Sequence, residues 1–149
     1  MTSFDLDVLR HSWPIWEQSL QFELGFVLNA AVTDLLNPPQ IGDLSLHHAG
    51  CWECDLSDDS LIWSGGVYDL FGLPRGIQPN RDEAVGLYCE DSRTKMERLR
   101  AHAIKHLRGF TLDVEIRPAG DERRRMRLIA APIIANGRVV RLHGLKLAI

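Results

Sequence analysis

This sequence has no disulfide framework. Its three cysteines, Cys51, Cys54 and Cys89, are odd in number and poorly spaced for one. Cys51 and Cys54 form a Cys-x-x-Cys, but no second such pair follows. In an extended strand the two side chains point to opposite faces. They read as free thiols, which fits a reducing cytosol. A strong excess of one charge is lacking too. The formal net charge of −3 gives no electrostatic reason to expect nucleic acid or an acidic membrane as the main partner. There is no long apolar run either. The most apolar stretch, Phe22 to Leu36, is interrupted by Glu23, Asn29 and Asp34, and is too short and too polar to span a bilayer. Asp5 and Asp7 precede any apolar run, unlike a signal peptide. A cytoplasmic chain is therefore expected, with neither nucleic acid nor membrane as partner. Catalytic signatures are also missing. The sequence holds no Gly-x-Ser-x-Gly, no phosphate-binding loop and no His-Glu-x-x-His, and no enzymatic activity is expected.

What is present has the composition of an ordinary globular domain: 149 residues, 45% hydrophobic and 25% charged. That length suits one domain plus an extra helix. The texture changes at Asn37-Pro38-Pro39, where a helix must stop. Upstream, Trp13, Trp16, Leu20, Leu24, Val27, Ala31 and Leu35 recur at steps of three and four, describing one helical face. Ile15, Phe22, Phe26 and Ala30 add a second apolar stripe. A surface helix on a monomer needs only one. Residues 1–40 are therefore expected to form a helical segment that dimerises with a second copy or docks a partner. Its interface candidates are Trp16, Leu20, Phe22, Leu24, Phe26, Val27 and Ala31.

Downstream the period changes. Gly50 to Leu56 and Leu61 to Ser64 read as two strands around the turn Ser57-Asp58-Asp59-Ser60. Val67 to Phe71 and Arg81 to Tyr88 read as short helices. A longer helix, capped by Asp91 or Ser92, runs to about Leu107 with Met96, Leu99, Ala103 and Leu107 as its buried stripe. Gly109 is expected to supply the left-handed residue at its end. Phe110, Leu112, Val114 and Ile116 then alternate with polar residues, the pattern of a sheet with one wet face. Arg125 to Pro132 and Arg138 to Leu147 follow, joined by a strong hairpin signal at Asn136-Gly137. The basic run Arg123-Arg124-Arg125-Met126-Arg127 reads as a solvated strand face. Arg125 and Arg127 share one side, with Asp113 and Glu115 available across the sheet. The expected fold is α+β: a five-stranded antiparallel sheet over residues 46–149, with helices on one face.

Several pieces, in order, resemble a known family. Gly50-Cys51-Trp52-Glu53-Cys54-Asp55-Leu56 resembles a Gly-x-Trp-Glu-x-Asp strand. Leu61-Ile62-Trp63-Ser64 and Val67-Tyr68-Asp69-Leu70-Phe71-Gly72-Leu73-Pro74 are similar to the strand and turn that follow it. Tyr88-Cys89-Glu90-Asp91-Ser92-Arg93 is similar to a His-Pro-Asp-Asp-Arg helix start, and Val140-Arg141-Leu142-His143-Gly144 to the last strand. The family is the PAS domain, in the branch called PAS fold 3 of bacterial signalling proteins. The resemblance covers residues 46–149. It implies a sensory or regulatory domain in signal transduction, working through a small ligand or through protein contact, with a constitutive scaffold as the alternative. The sequence departs from the family twice: Arg125 stands where Trp is usual, and Ala148-Ile149 stand where the family closes with Asp-Ile-Thr. The signal is then expected to leave through the N-terminal segment, through a docked signalling partner, or through an output domain beyond residue 149.

The resemblance also implies a pocket between sheet and helices. Its candidate lining is Trp52, Trp63, Tyr68, Phe71, Leu99, Ala103, Phe110, Leu112, Met126, Leu128 and Leu142. The same residues equally suit a filled core. Neither cofactor typical of such folds is expected. Cys89 lacks the surroundings of a flavin adduct cysteine. For haem, His102 lies off the buried stripe of its helix and His106, the better candidate, at its edge. The His102–His106 pair has no evident third ligand for zinc, and His47-His48 diverge as neighbours do. His143 reads as a sheet-surface residue.

Overall fold

Alternation of side chains along the strands decides what the sheet buries, and the computed structural model describes the result for residues 8, 10–21, 49–119 and 122–149. The strands are β1 (Ser12–Pro14), β2 (Ala49–Asp55), β3 (Ser60–Trp63), β4 (Arg108–Ile116), β5 (Arg124–Ala135) and β6 (Arg138–Ala148). A 3-10 turn, Ile15–Glu17, and a short helix α1, Gln18–Gln21, follow β1. Helices α2 (Gly65–Phe71), α3 (Arg81–Gly86) and α4 (Glu90–His106) lie between β3 and β4. The strand order is β1-β4-β5-β6-β2-β3, every neighbouring pair antiparallel.

On the inner face, Phe110, Leu112, Val114 and Ile116 of β4 pack with Met126, Leu128 and Ala130 of β5 under Val67, Leu70, Phe71, Met96, Leu99 and Ala103 of the helices. On the outer face, Asp113 and Arg127 are register partners and form a two-point ion pair, 2.8 and 3.1 Å. Asn136 and Gly137 turn β5 into β6 with φ of 53° and 78°, the two positive angles that a type I′ hairpin demands.

The structure corrects the sequence reading in three places. Among the described residues the sheet has six strands, not five, because Ser12–Pro14 add a strand to the edge of β4. Trp13 therefore does not lead a helical face. Its ring lies on the outer face with Ile129, Ala131 and Leu145, and its indole N–H donates to Thr111 Oγ1 at 3.1 Å. Tertiary burial of the largest side chain outweighed a helical period that Pro14 already weakens. The left-handed residue after α4 is Leu107 (φ 56°), not Gly109. Gly109 is needed for a different reason: a Cβ there would stand 2.2 Å from the Trp13 ring. Finally, α4 starts behind Cys89 without a side-chain cap; Ser92 Oγ instead accepts the backbone N–H of Glu115, tying the helix to β4.

Phe22, Leu24, Phe26, Val27 and Ala31, with His47 and His48, lie outside the described residues. Of the described interface candidates, Trp16 and Leu20 are exposed.

Candidate functional site: a buried lysine among aromatic rings

The inward positions of β6 are Leu142, Gly144, Lys146 and Ala148, set by pairing with Pro132, Ala130, Leu128 and Met126 of β5. Three of these are apolar, as the core requires. The fourth is a lysine, only 7% exposed. Gly144 is the register partner of Trp52 on β2, and a Cβ there would stand 1.8 Å from the Ile129 carbonyl oxygen of β5. Trp52 in turn pairs with Trp63 of β3. The Lys146 ammonium position is ringed by aromatic faces, 4.8 Å from the centroid of Phe71, 5.3 Å from Trp52, 5.6 Å from Tyr88 and 5.9 Å from Trp63. These distances lie within the range of cation–π attraction. Trp63 stacks on Phe71, and Tyr88 tilts against it.

Lys146 Nζ donates to the Tyr88 hydroxyl at 3.2 Å. Tyr88 is held by the turn after α3, where Leu87 O accepts from Arg117 N–H and Glu115 O accepts from Cys89 N–H. That stitching fixes the phenol over the cavity. Asn80 caps α3 by accepting from the N–H groups of Asp82 and Glu83, which sets the helix that brings Arg81 and Ala84 to the same place.

A cavity of about 60 Å³ adjoins the lysine, lined by Trp52, Cys54, Leu61, Trp63, Arg81, Ala84, Val85, Tyr88, Met96, Arg100, Phe110, Leu128, Leu142 and Lys146. Among the described residues lining it there is no carboxylate. Arg81 is paired with Glu97, and Arg100 with Asp59 at 3.0 Å. Among the described residues, Lys146 has the phenol and the rings as its close neighbours and no carboxylate partner. Burial drives its proton affinity down to about 7. Burial likewise pushes the Tyr88 hydroxyl far up, so it stays protonated, and raises the Cys54 thiol. A wider, open hollow of about 800 Å³ lies on the other side of the sheet beside Trp13, where Asp113 and Arg127 are already paired with each other.

No protein-family model matches the sequence, and the search of curated proteins finds no match. Solved structures do match in shape. One is the PAS domain of a protein from Colwellia psychrerythraea, with a TM-score of 0.55 at 16% identity over 68% of this chain and 86% of that one. The fold is the PAS fold. A second PAS structure, the N-terminal domain of a diguanylate cyclase with PAS/PAC sensor from Marinobacter aquaeolei, gives a TM-score of 0.61 at 12% identity, covering 67% of this chain and 94% of that one. An RNA-binding light-oxygen-voltage receptor gives 0.60 at 14% identity over 68% of this chain. The match takes up 29% of that receptor's length.

Of the eleven residues assigned to a PAS pocket from sequence, Trp52, Trp63, Phe110, Leu128 and Leu142 line the cavity. Phe71, Leu99, Ala103, Leu112 and Met126 sit in the surrounding core, with Tyr68 half-buried at its margin. Sequence reasoning missed Lys146, Tyr88, Arg81, Arg100 and Cys54. Lys146 carried a usable signal, since it stands four residues after Leu142 in a period-two strand. His106 is exposed and His102 half-buried, and neither lines the cavity. His143 lies on the outer face opposite Glu53. Among the described residues, no three His, Cys, Asp or Glu side chains gather as metal ligands, and no helix is long and apolar enough to cross a membrane.

Proposed function

We propose that the chain is a sensory module of signal transduction, of the PAS fold 3 kind and without catalytic activity of its own, that detects a small molecule in the Lys146 cavity. The observation carrying this reading is a buried lysine with no carboxylate partner among the described residues. Burying an unpaired cation is costly, and an apolar side chain of similar volume would serve a purely structural core better. A scaffold whose only task is docking has no use for that cost, whereas a binding site does. The cavity's size argues against a haem or flavin ring system in this arrangement, since drug-sized ligands occupy roughly 300–1,000 Å³.

Signalling then follows from differential affinity: a ligand that prefers one packing of helices on sheet shifts the population toward it. Neighbouring residues supply the route. Lys146 faces the cavity, while Leu145 beside it lies under Trp13 on the outer face, where the N-terminal segment joins the sheet. We assign residues 1–40 to dimerisation on the strength of their two apolar stripes and of the exposure of Trp16 and Leu20.

Native mass spectrometry of the full chain, purified without denaturant, tests the sensory reading. A small added mass on the wild type that is absent from Lys146→Met is expected. A bare chain mass in both, with no small solute altering the protein's melting, would establish the scaffold alternative.

A further inference from the structure

The charges and the walls of the cavity narrow what it would take. Arg81 and Arg100 reach it already neutralised by Glu97 and Asp59. Among the described residues lining the cavity, Lys146 is the cation left over, and a ligand that brings one negative charge supplies a counter-ion for it. The donors are matched to two oxygens. Lys146 has N–H groups beyond the one given to Tyr88, and the Tyr88 hydroxyl, having accepted that bond, still has its own hydrogen to donate. Opposite them, Trp52, Phe110, Leu128 and Leu142 are apolar and suit a short alkyl group. At roughly 10–15 Å³ for each water-sized occupant, the cavity holds about four to six non-hydrogen atoms.

We propose that this cavity is a binding site for a small aliphatic monocarboxylate, of the size class of acetate, whose charge is met by Lys146 and whose second oxygen is met by Tyr88. The inference rests on the ligand-sensing reading above and specifies its ligand class.

Binding such an anion favours the ammonium over the amine. Among the described residues, the other titratable or charged groups around Lys146 are Cys54 of β2, Arg81 of α3, Tyr88 beyond it, Glu97 and Arg100 of α4, and Asp59 of the β2–β3 turn. The arginines and carboxylates are paired, and burial keeps the thiol and phenol protonated. Lys146 is then the group whose proton is linked to binding near neutral pH.

The test is an NMR titration of the full chain, with the Lys146 Cε signal read at constant ionic strength. The probes are sodium acetate, acetamide as its neutral isostere, and sodium chloride as a bare anion. Acetate is expected to saturate the signal and raise its titration midpoint. Its affinity is expected to fall about tenfold per pH unit once the amine is neutral. Acetamide and chloride are expected to bind at least tenfold more weakly. Lys146→Met is expected to lose acetate binding, and Tyr88→Phe to weaken it while keeping the pH dependence. The wild-type pH profile stands even if a variant misfolds. Acetamide binding as well as acetate, or an affinity flat between pH 6 and pH 9, overturns the carboxylate assignment and leaves a cavity ligand of another class. Failure of all three probes, together with a bare chain mass, overturns both readings.

Discussion

Lys146 is where a single side chain departs from what its strand prefers, and it has a consequence for stability. Its proton affinity in the folded chain lies near 7, against an ordinary lysine value of 10.5, with burial as the leading cause. Between those two values the unfolded chain holds the proton more tightly than the folded one. Stability therefore rises with pH across that window, and is lowest below about pH 7, where the folded chain must carry the buried charge. Lys146→Met removes this dependence. The variant is expected to be more stable than wild type by a few kcal/mol, on the order of the penalty for an unpaired buried ammonium. That gap should be widest below neutral pH and should narrow toward pH 10. Urea unfolding of both proteins at matched pH values measures it. A gap that stays constant over that range would mean that Lys146 is not a buried titrating group.

Among elements, β1 shows both how far the sequence could be read and where it could not. The alternation in β4, the Asn136-Gly137 turn and the opposed Cys51 and Cys54 were legible because each follows from local backbone rules. Cys51 indeed packs with the outer cluster, while Cys54 lies in the inner core. β1 was not legible, since its three residues are held by a distant strand, with Trp13 opposite Gly109. Lys146 was passed over for a different reason: a lysine in a strand normally marks the wet side, although its even spacing from Leu142 already put it on the inner face. The β1 contact makes a testable claim. Gly109→Ala places a methyl group inside the Trp13 ring, so either the ring or the strand must move. A loss of about 1–3 kcal/mol is expected, typical of an overpacked site. Adding Trp13→Ala to Gly109→Ala should cost much less than Trp13→Ala costs alone, because the clash is relieved in the same step. Denaturant unfolding of the four proteins of this cycle measures the coupling, and strict additivity would show that the two residues do not compete for one space.

At the scale of the whole molecule, the question is what the N-terminal segment does with its apolar surface. Trp16 is 74% exposed and Leu20 61% exposed, both directly after the strand that anchors the segment to β4. The apolar spacing continues past them through Leu24, Val27 and Ala31. The sheet edge accounts for Trp13, while the dimer proposed above would cover the stripe that continues beyond it in the sequence. Sedimentation is then expected to give a wild-type dimer. The double change Leu24→Asp and Val27→Asp should leave a soluble monomer, because two charges placed in an apolar contact cost far more than they do in water. The same variant should keep the Lys146 cavity, since every residue lining it comes from position 52 or later. Unchanged acetate titration in a monomeric variant would therefore separate assembly from sensing. A wild-type chain that sediments as a monomer at high concentration would mean that the second stripe folds back on its own domain, leaving the sheet side of the molecule to carry any signal.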